Sequence, residues 1–514
     1  MDKAQLVVVG GGQSGASAAI EAAKWGVQVC LVDENPLDFS MMGLDIPLYF
    51  GQRMMPTLRD KGLMLQRVVS SSDPLKEAQE AGVETVLGTC VWGSFRNQEN
   101  SRQLEKPVLG LADEERSWLL EYDCLVLAPG ARDLVLGFPG RDLVGVMGAN
   151  AVASLLNLYQ GLAAKRMVVL GSGDLGMLAA CQALEHGVQV AAIVDVSSQV
   201  QGNGRLRAEL EGQGVPFYTS HTVKEARGLR EVESIVISQI DDDFRSIDGT
   251  DQELECDTVC LAVGLVPNVE LLYLTGCQLS YRADLGGFVP DRDDRMQTSI
   301  ERVYVVGDAG GFYDDMTANA DIAVAQGKIA GIAVAEYLGI LDGKKAASQI
   351  RGLKPKAAIP DGGEAAEYRA AWLSSLVAAG GMNVNVCQCE EVTRGDLIKV
   401  AAPGYLGWSS EEMDRRSLET LLEEGSVDLD RLKRLTRAGM GYCQGRRCRE
   451  ETAMLVARAA GIDVSQIPMA SYRPPVRPLP LKVMWPQEEP EELRQSWYYW
   501  IKEVPKTLDE LREA

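Results

Sequence analysis

Two stretches of the chain share one pattern of apolar, glycine and polar positions. Residues 5–33 run from an apolar segment, Leu6-Val7-Val8-Val9, through a glycine turn and an alanine-rich stretch to a second apolar run, Val29-Cys30-Leu31-Val32. Short apolar runs bounded by turn residues predict buried parallel strands, and the alanine-rich stretch between them predicts a helix. Residues 166–195 repeat the design in RMVVLGSGDLGMLAACQALEHGVQVAAIVD. Two such units predict an α/β protein with two Rossmann-like nucleotide-binding units rather than one doubly wound domain. Further strands are predicted in DCLVLAPGA (123–131), DTVCLAVG (257–264) and RVYVVGDAGG (302–311), with a helix in ADIAVAQGKIAGIAVAEYLG.

The pattern sets provisional boundaries. The first unit takes residues 1–148 and 272–340, and the second takes 149–271. The Lys-, Pro- and Gly-rich stretch at 341–370 reads as a linker. A smaller unit follows at 371–470, and 471–514 holds the Pro-rich SYRPPVRPLPL and an acidic tail with Trp497-Tyr498-Tyr499-Trp500. Prolines that cannot donate hydrogen bonds keep the former out of regular structure. The tail's aromatics suit packing on this chain or on a partner.

Composition narrows the function. Of 514 residues, 46% are hydrophobic and 24% charged, enough for several packed cores. A net charge of −22 argues against nucleic acid or anionic lipid as partner, because both require clustered cations. No apolar run reaches the roughly 18 residues of a spanning helix. The opening MDKAQLVVVGGG leaves no room for a signal peptide, so a cytoplasmic protein is expected. Of 11 cysteines, Cys30, Cys124, Cys181, Cys256 and Cys260 lie in apolar strands and helices and read as small buried hydrophobes.

The first turn, Gly10-Gly11-Gly12-Gln13-Ser14-Gly15, is a complete G-x-G-x-x-G between strand and helix. Gly10 permits the tight bend, Gly12 lets the backbone approach a pyrophosphate, and Gly15 lets helix and strand pack closely. Free N–H groups at the helix start then face the phosphates. Asp33-Glu34 ends the next strand, 18 residues after Gly15, where a carboxylate binds ribose hydroxyls. The second turn has Gly171, Gly173 and Gly176, with Asp195 a further 19 residues on. An acid there suits NAD rather than NADP. Asp174, however, puts a carboxylate where phosphates would come, so either a bound nucleotide or a vestigial site fits.

Cys387-Gln-Cys389 and Cys443-Gln-Gly-Arg-Arg-Cys448 form two close pairs in a segment of Gly, Arg and Thr. Four thiolates so grouped suit a [2Fe–2S] cluster, and the C-x-C spacing is unusual for structural zinc. Arg446 and Arg447 would offset the anionic charge. Zinc remains the alternative.

The glycine turns, the strand ending Ala128-Pro129-Gly130, and Thr298…Gly307-Asp308 resemble, in order and spacing, the pyridine-nucleotide disulfide oxidoreductase superfamily. That resemblance implies FAD in the first unit, Asp308 on its ribityl chain, and a helix from about Thr317 aimed at the flavin. It departs from the disulfide reductases in having no cysteine pair near Ser40–Met42 and no C-terminal His-Glu pair. The only histidines are His186, at a predicted helix end, and His221, so no acid–base or thiol chemistry is indicated and no catalytic residue is assigned.

CQCEEVTRGDL and TRAGMGYCQGRRC resemble the bacterioferritin-associated-ferredoxin-like [2Fe–2S] domain. With YRPPVRPLPL they look closer to the large flavoprotein subunits of heteromeric amine dehydrogenases. That group comprises opine oxidases, hydrogen cyanide synthase and dye-linked proline or hydroxyproline dehydrogenases. It implies Cys387, Cys389, Cys443 and Cys448 as ligands, an insertion at about 404–430, and a flavin-containing partner subunit that oxidises the C–N bond. In relatives FMN lies at the subunit interface, some members hold ATP, and a small ferredoxin-like subunit joins some assemblies. The expected role is electron relay through FAD and the cluster in a hetero-oligomer. The rivals are a self-contained NADH-dependent reductase and a redox-silent zinc and nucleotide scaffold.

Overall fold

The structure is a computed structural model that describes residues 3–37, 54–97, 104–312, 320–358 and 365–484. The strand Lys3–Val9, the helix Gln13–Lys24 and the strand Val29–Val32 form as the apolar pattern predicts. They sit at the centre of a seven-stranded mixed sheet in the order Glu84–Val86, Val29–Val32, Lys3–Val9, Ser117–Leu127, Val108–Ala112, Cys90–Phe95. Val303–Val305 pairs alongside Ser117–Leu127. The first strands are parallel, with Val8 opposite Leu31 on one side and Val126 on the other, while the 90–127 meander is antiparallel.

The second unit is a five-stranded parallel sheet ordered Phe217–Tyr218, Gln189–Val194, Arg166–Leu170, Thr258–Leu261, Val146–Gly148. Its helix Asp174–Glu185 ends at His186, whose ring meets Asn157 at 3.2 Å.

The described residues of 341–370 are largely helical rather than an irregular linker. A helix spans Gly343–Ala357, capped by Asp342, and another begins at Ala365. Ala346, Ile350 and Ala357 are buried, one face at helical spacing that the abundant lysines obscure. Residues 404–430 divide similarly. Tyr405 and Trp408 are exposed, but Leu418, Leu421 and Val427 enter the core.

That core is continuous from the second unit into the C-terminal module. Val168, Leu170, Ile235 and Leu261 pack in one cluster with Trp372, Leu376, Cys387 and Cys448. Buried charges reinforce the junction: Glu451, wholly inaccessible, accepts from Gly137 N at 2.9 Å and pairs with Arg141 at 3.2 Å and Arg394 at 3.6 Å. The Pro-rich segment crosses the first unit, where Val476 N donates to Trp92 O and Tyr472 packs edge-on against Tyr273. Thr317, Ser40–Met42 and Trp497–Trp500 lie outside the described residues.

Candidate functional site

The first glycine turn opens onto a cavity of about 410 Å³. Gly10 takes φ +104°, and a Cβ there would come within 2.2 Å of Ala128 O, so only glycine lets the two strand ends meet. A Cβ on Gly15 would strike Gly10 O, whereas one on Gly12 would meet nothing within 4 Å. Gly12 therefore faces open space, the cradle a pyrophosphate needs. Gly10, Gly12, Asp33, Glu34, Ala128 and Gly130 all line the cavity.

Asp33 accepts from Gly11 N at 2.6 Å and from Asn35 N at 2.7 Å. Burial raises its pKa, with these hydrogen bonds opposing. Glu34 pairs with Arg477 of the Pro-rich segment at 2.7 Å. Ser14 is buried, against Gly307. Asp308 lies beside the turn but is not among the residues lining the cavity. Its carboxyl is pushed up to about 6 by burial, and no hydrogen bond satisfies it among the described residues. A carboxyl so placed beside the glycine turn fits a hydroxyl-bearing ligand chain.

Sequence reasoning missed the cavity's far wall. Arg132 donates to Asn268 and pairs with Glu270 at 2.6 Å. Burial works to raise Glu270, but Arg132, Arg446 and Arg449 outweigh it and hold the carboxyl below its usual range. Asp133 accepts from Asn150 N at the start of the helix Ala149–Ala153. Arg141, Arg446, Arg447 and Arg477 complete a cation-rich lining drawn from three parts of the chain. Only the last three adjoin a recognisable motif.

The second turn copies the backbone of the first: Gly171 has φ +108°, its Cβ would meet Ala262 O, and a Cβ on Gly176 would strike Gly171 O. Its polar groups are spent differently. Asp195, 1% exposed, accepts from Ser172 N and Oγ, both at 2.6 Å, and from Tyr368 OH at 2.9 Å. Asp174 accepts from Asn203 N at 2.6 Å. Asp195 thus carries two donors that Asp33 lacks, the Ser172 hydroxyl and the Tyr368 phenol, and Tyr368 of the C-terminal module lies over Gly171. Gly173, where a Cβ would meet nothing within 4 Å, is the one element left open.

The four patterned cysteines come together. Cys387 ends the strand Asn385–Cys387, and Cys448 caps the helix Arg449–Ala460. Cys389 Sγ lies 3.5 Å from Cys443 Sγ, close to the ~3.8 Å separating two thiolates on one tetrahedral metal. Cys387 interacts with both Cys389 and Cys448 and accepts from Gly439 N at 3.4 Å. Cys443 is pushed up by contact with Cys389 first and burial second. Such thiols keep their protons at neutral pH unless a cationic centre replaces them. Among the described residues no group of three or more His, Cys, Asp or Glu side chains is arranged to hold a single metal ion as it stands. The donor set is four thiols in contact one with the next, Cys448, Cys387, Cys389 and Cys443, a number that suits a two-iron centre with two thiolates per iron. Arg447 beside them is pushed down to about 10, by burial first.

A glycine turn opening onto a deep cavity, followed by a second unit of the same design, defines a two-dinucleotide-binding oxidoreductase. The chain belongs to the pyridine nucleotide-disulphide oxidoreductase family, whose model matches residues 4–327. Its cofactor class is FAD or a related nucleotide. Residues 410–486 match the sarcosine oxidase A3 domain, so most of the stretch read as an insertion falls within a matched module.

The chain is similar to the A-type subunit of opine oxidase from Agrobacterium tumefaciens (strain Ach5), 26% identical over 491 residues, covering 93% of this chain and 90% of the relative. It is also similar to the HcnB subunit of hydrogen cyanide synthase from Pseudomonas aeruginosa, 26% identical over 488 residues, covering 88% and 93%. L-proline dehydrogenase from P. horikoshii shares the fold at a TM-score of 0.60 and 19% identity, covering 94% of this chain and 80% of that one. Among the described residues no helix is long and apolar enough to cross a membrane.

Proposed function

We propose that this chain is the electron-transfer flavoprotein subunit of a heteromeric amine or amino-acid dehydrogenase. One observation carries the reading: the cavity that starts at Gly10 and Gly12 ends against Arg446 and Arg447, inside the loop that bears Cys443 and Cys448. Nucleotide cradle and thiol set share a wall, which is what a relay between two redox groups requires. Gly10, Gly12, Ser14, Gly15, Asp33, Glu34, Ala128, Gly130, Gly307 and Asp308 would hold FAD. Cys387, Cys389, Cys443 and Cys448 would hold a [2Fe–2S] cluster. The bound flavin and cluster supply one- and two-electron chemistry, and the protein positions and insulates them.

The relatives' names, each that of one subunit in an opine oxidase or a hydrogen cyanide synthase, support a companion polypeptide. That companion would carry its own flavin and perform the C–N oxidation, with FMN at the interface between the two. The spent Asp195 and the overlying Tyr368 weigh against a self-contained NADH reductase.

Chain purified anaerobically, alone and with its companion, tests the reading. Acid extraction is expected to release FAD, and analysis to find about two irons and two labile sulfides per chain. Amine-dependent dye reduction is expected only from the pair. Stoichiometric zinc without sulfide, or turnover by the isolated chain at about 1 per second or more, would overturn it.

A further inference from the structure

The loop from Cys443 to Cys448 has two faces. On one, its cysteines join Cys387 and Cys389; on the other, Arg446 and Arg447 line the nucleotide cavity. Of the five arginines on the cavity wall, four bond partners elsewhere. Arg132 pairs with Glu270, Arg141 with Glu451 and the carbonyls of Asn385 and Val386, Arg446 with Val476 O, and Arg477 with Glu34. Arg447 is bonded into the thiol set. Its backbone N–H donates to the Cys443 sulfur, and its guanidinium donates at 2.7 Å to Oε1 of Gln388, the residue between Cys387 and Cys389. The same side chain acts electrostatically on both Cys443 and Cys389.

We propose that Arg447 is a positioning residue that couples the two sites electrostatically, so that the cavity's occupant and the cluster's oxidation state each bias the other. The inference rests on the [2Fe–2S] reading above. A guanidinium in a poorly hydrated wall feels charge on both sides with little screening. A phosphate-bearing occupant and a cluster that has gained one electron draw on the same cation. A guanidinium turned toward the occupant turns away from Gln388 and the thiols, so each anion weakens the other's hold, and the coupling is reciprocal as a matter of thermodynamics. Arginine suits this place because its planar fork can bond Gln388 while its charge remains fixed.

The test uses the full chain with its cluster, stripped of flavin, and ADP as a redox-silent probe that carries the pyrophosphate. Calorimetry compares ADP affinity with the cluster oxidised and with the cluster reduced by one electron from dithionite. Affinity should fall about fivefold or more on reduction, the lower end of ordinary coupling between sites. R447Q should bring the ratio closer to one, since only the direct repulsion between occupant and cluster then remains, and R447K, which keeps the charge, should preserve most of it. R477Q, on the cavity wall but paired with Glu34, should weaken ADP equally in both states.

An unchanged affinity on reducing wild-type protein, or an R447Q ratio equal to wild type, overturns the coupling while leaving the cluster in place. Wild-type protein without iron and labile sulfide sinks the cluster reading and the coupling together. Absence of ADP binding removes the cavity as an anion site and overturns it too. Should R447Q not fold, the wild-type ratio and R447K decide the question.

Discussion

The two glycine units share one backbone design and differ in what the rest of the chain lays over them. Both bend at a glycine of φ near +105°, and both pack helix against strand through a last glycine that tolerates no Cβ. Both place an Asp at the end of the second strand, bonded to the amide after the first glycine at 2.6 Å. The first opens onto a cavity that Glu34, Arg132 and Arg477 help to line. At the second, Asp174 bonds within the protein, and Asp195 carries two donors that Asp33 lacks, the Ser172 hydroxyl and Tyr368, which arrives from 173 residues further along the chain. The motif builds a turn able to hold a dinucleotide. Whether it does so depends on what the rest of the chain lays over it.

The sharpest way to break this comparison is to fill both turns alike. Gly12→Val should lower retained flavin nucleotide at least tenfold, about 1.4 kcal/mol of binding, whereas Gly173→Val should leave it unchanged; acid-released flavin per chain reads both. Equal losses would show that the second turn matters to the bound cofactor.

A test by stability addresses the junction that brings the C-terminal module over the second turn. Glu451→Gln strands Arg141 and Arg394 in a wholly buried site. Removing one partner of such a network costs about 3–5 kcal/mol, visible as a lowered midpoint in thermal unfolding.

Tyr368→Phe removes only the hydroxyl that caps Asp195. A hydrogen bond to a charged group contributes about 1.5–3 kcal/mol, so a smaller drop is expected. NADH should still fail to quench tryptophan fluorescence in this variant, because Ser172 continues to hold Asp195. Sub-millimolar NADH binding to the wild type would erase the contrast between the turns.

The smallest effect concerns Asp308. Its folded pKa, about 6, exceeds the ordinary 3.8, so the folded state holds the proton more tightly than the unfolded chain. That contribution is complete below about pH 3.8 and is lost as pH rises through 6. Asp308→Asn should flatten the stability profile of the flavin-free protein between those values. The difference, on the order of 1 kcal/mol, would appear in melts at about pH 4.5 and 7.

The sequence by itself determined the elements and the local chemistry. Unbroken apolar runs beside glycines admit few structures other than buried parallel strands feeding helices, so both units were legible, as were the turn glycines and the grouping of Cys387, Cys389, Cys443 and Cys448. These are short-range constraints, set by sterics and by the spacing of a few neighbours. The helix at 343–357 was hidden because its buried face is three small or aliphatic residues among lysines, and periodicity so sparse is lost in composition. The rest was decided by tertiary structure. Arg132, Arg141, Arg447 and Arg477 meet around one cavity although no local pattern marks them as a set. Tyr368 closes a turn whose own residues look as competent as the first. Burial sets the energy of each charged group, and burial is a property of everything that packs around it, which no single segment contains.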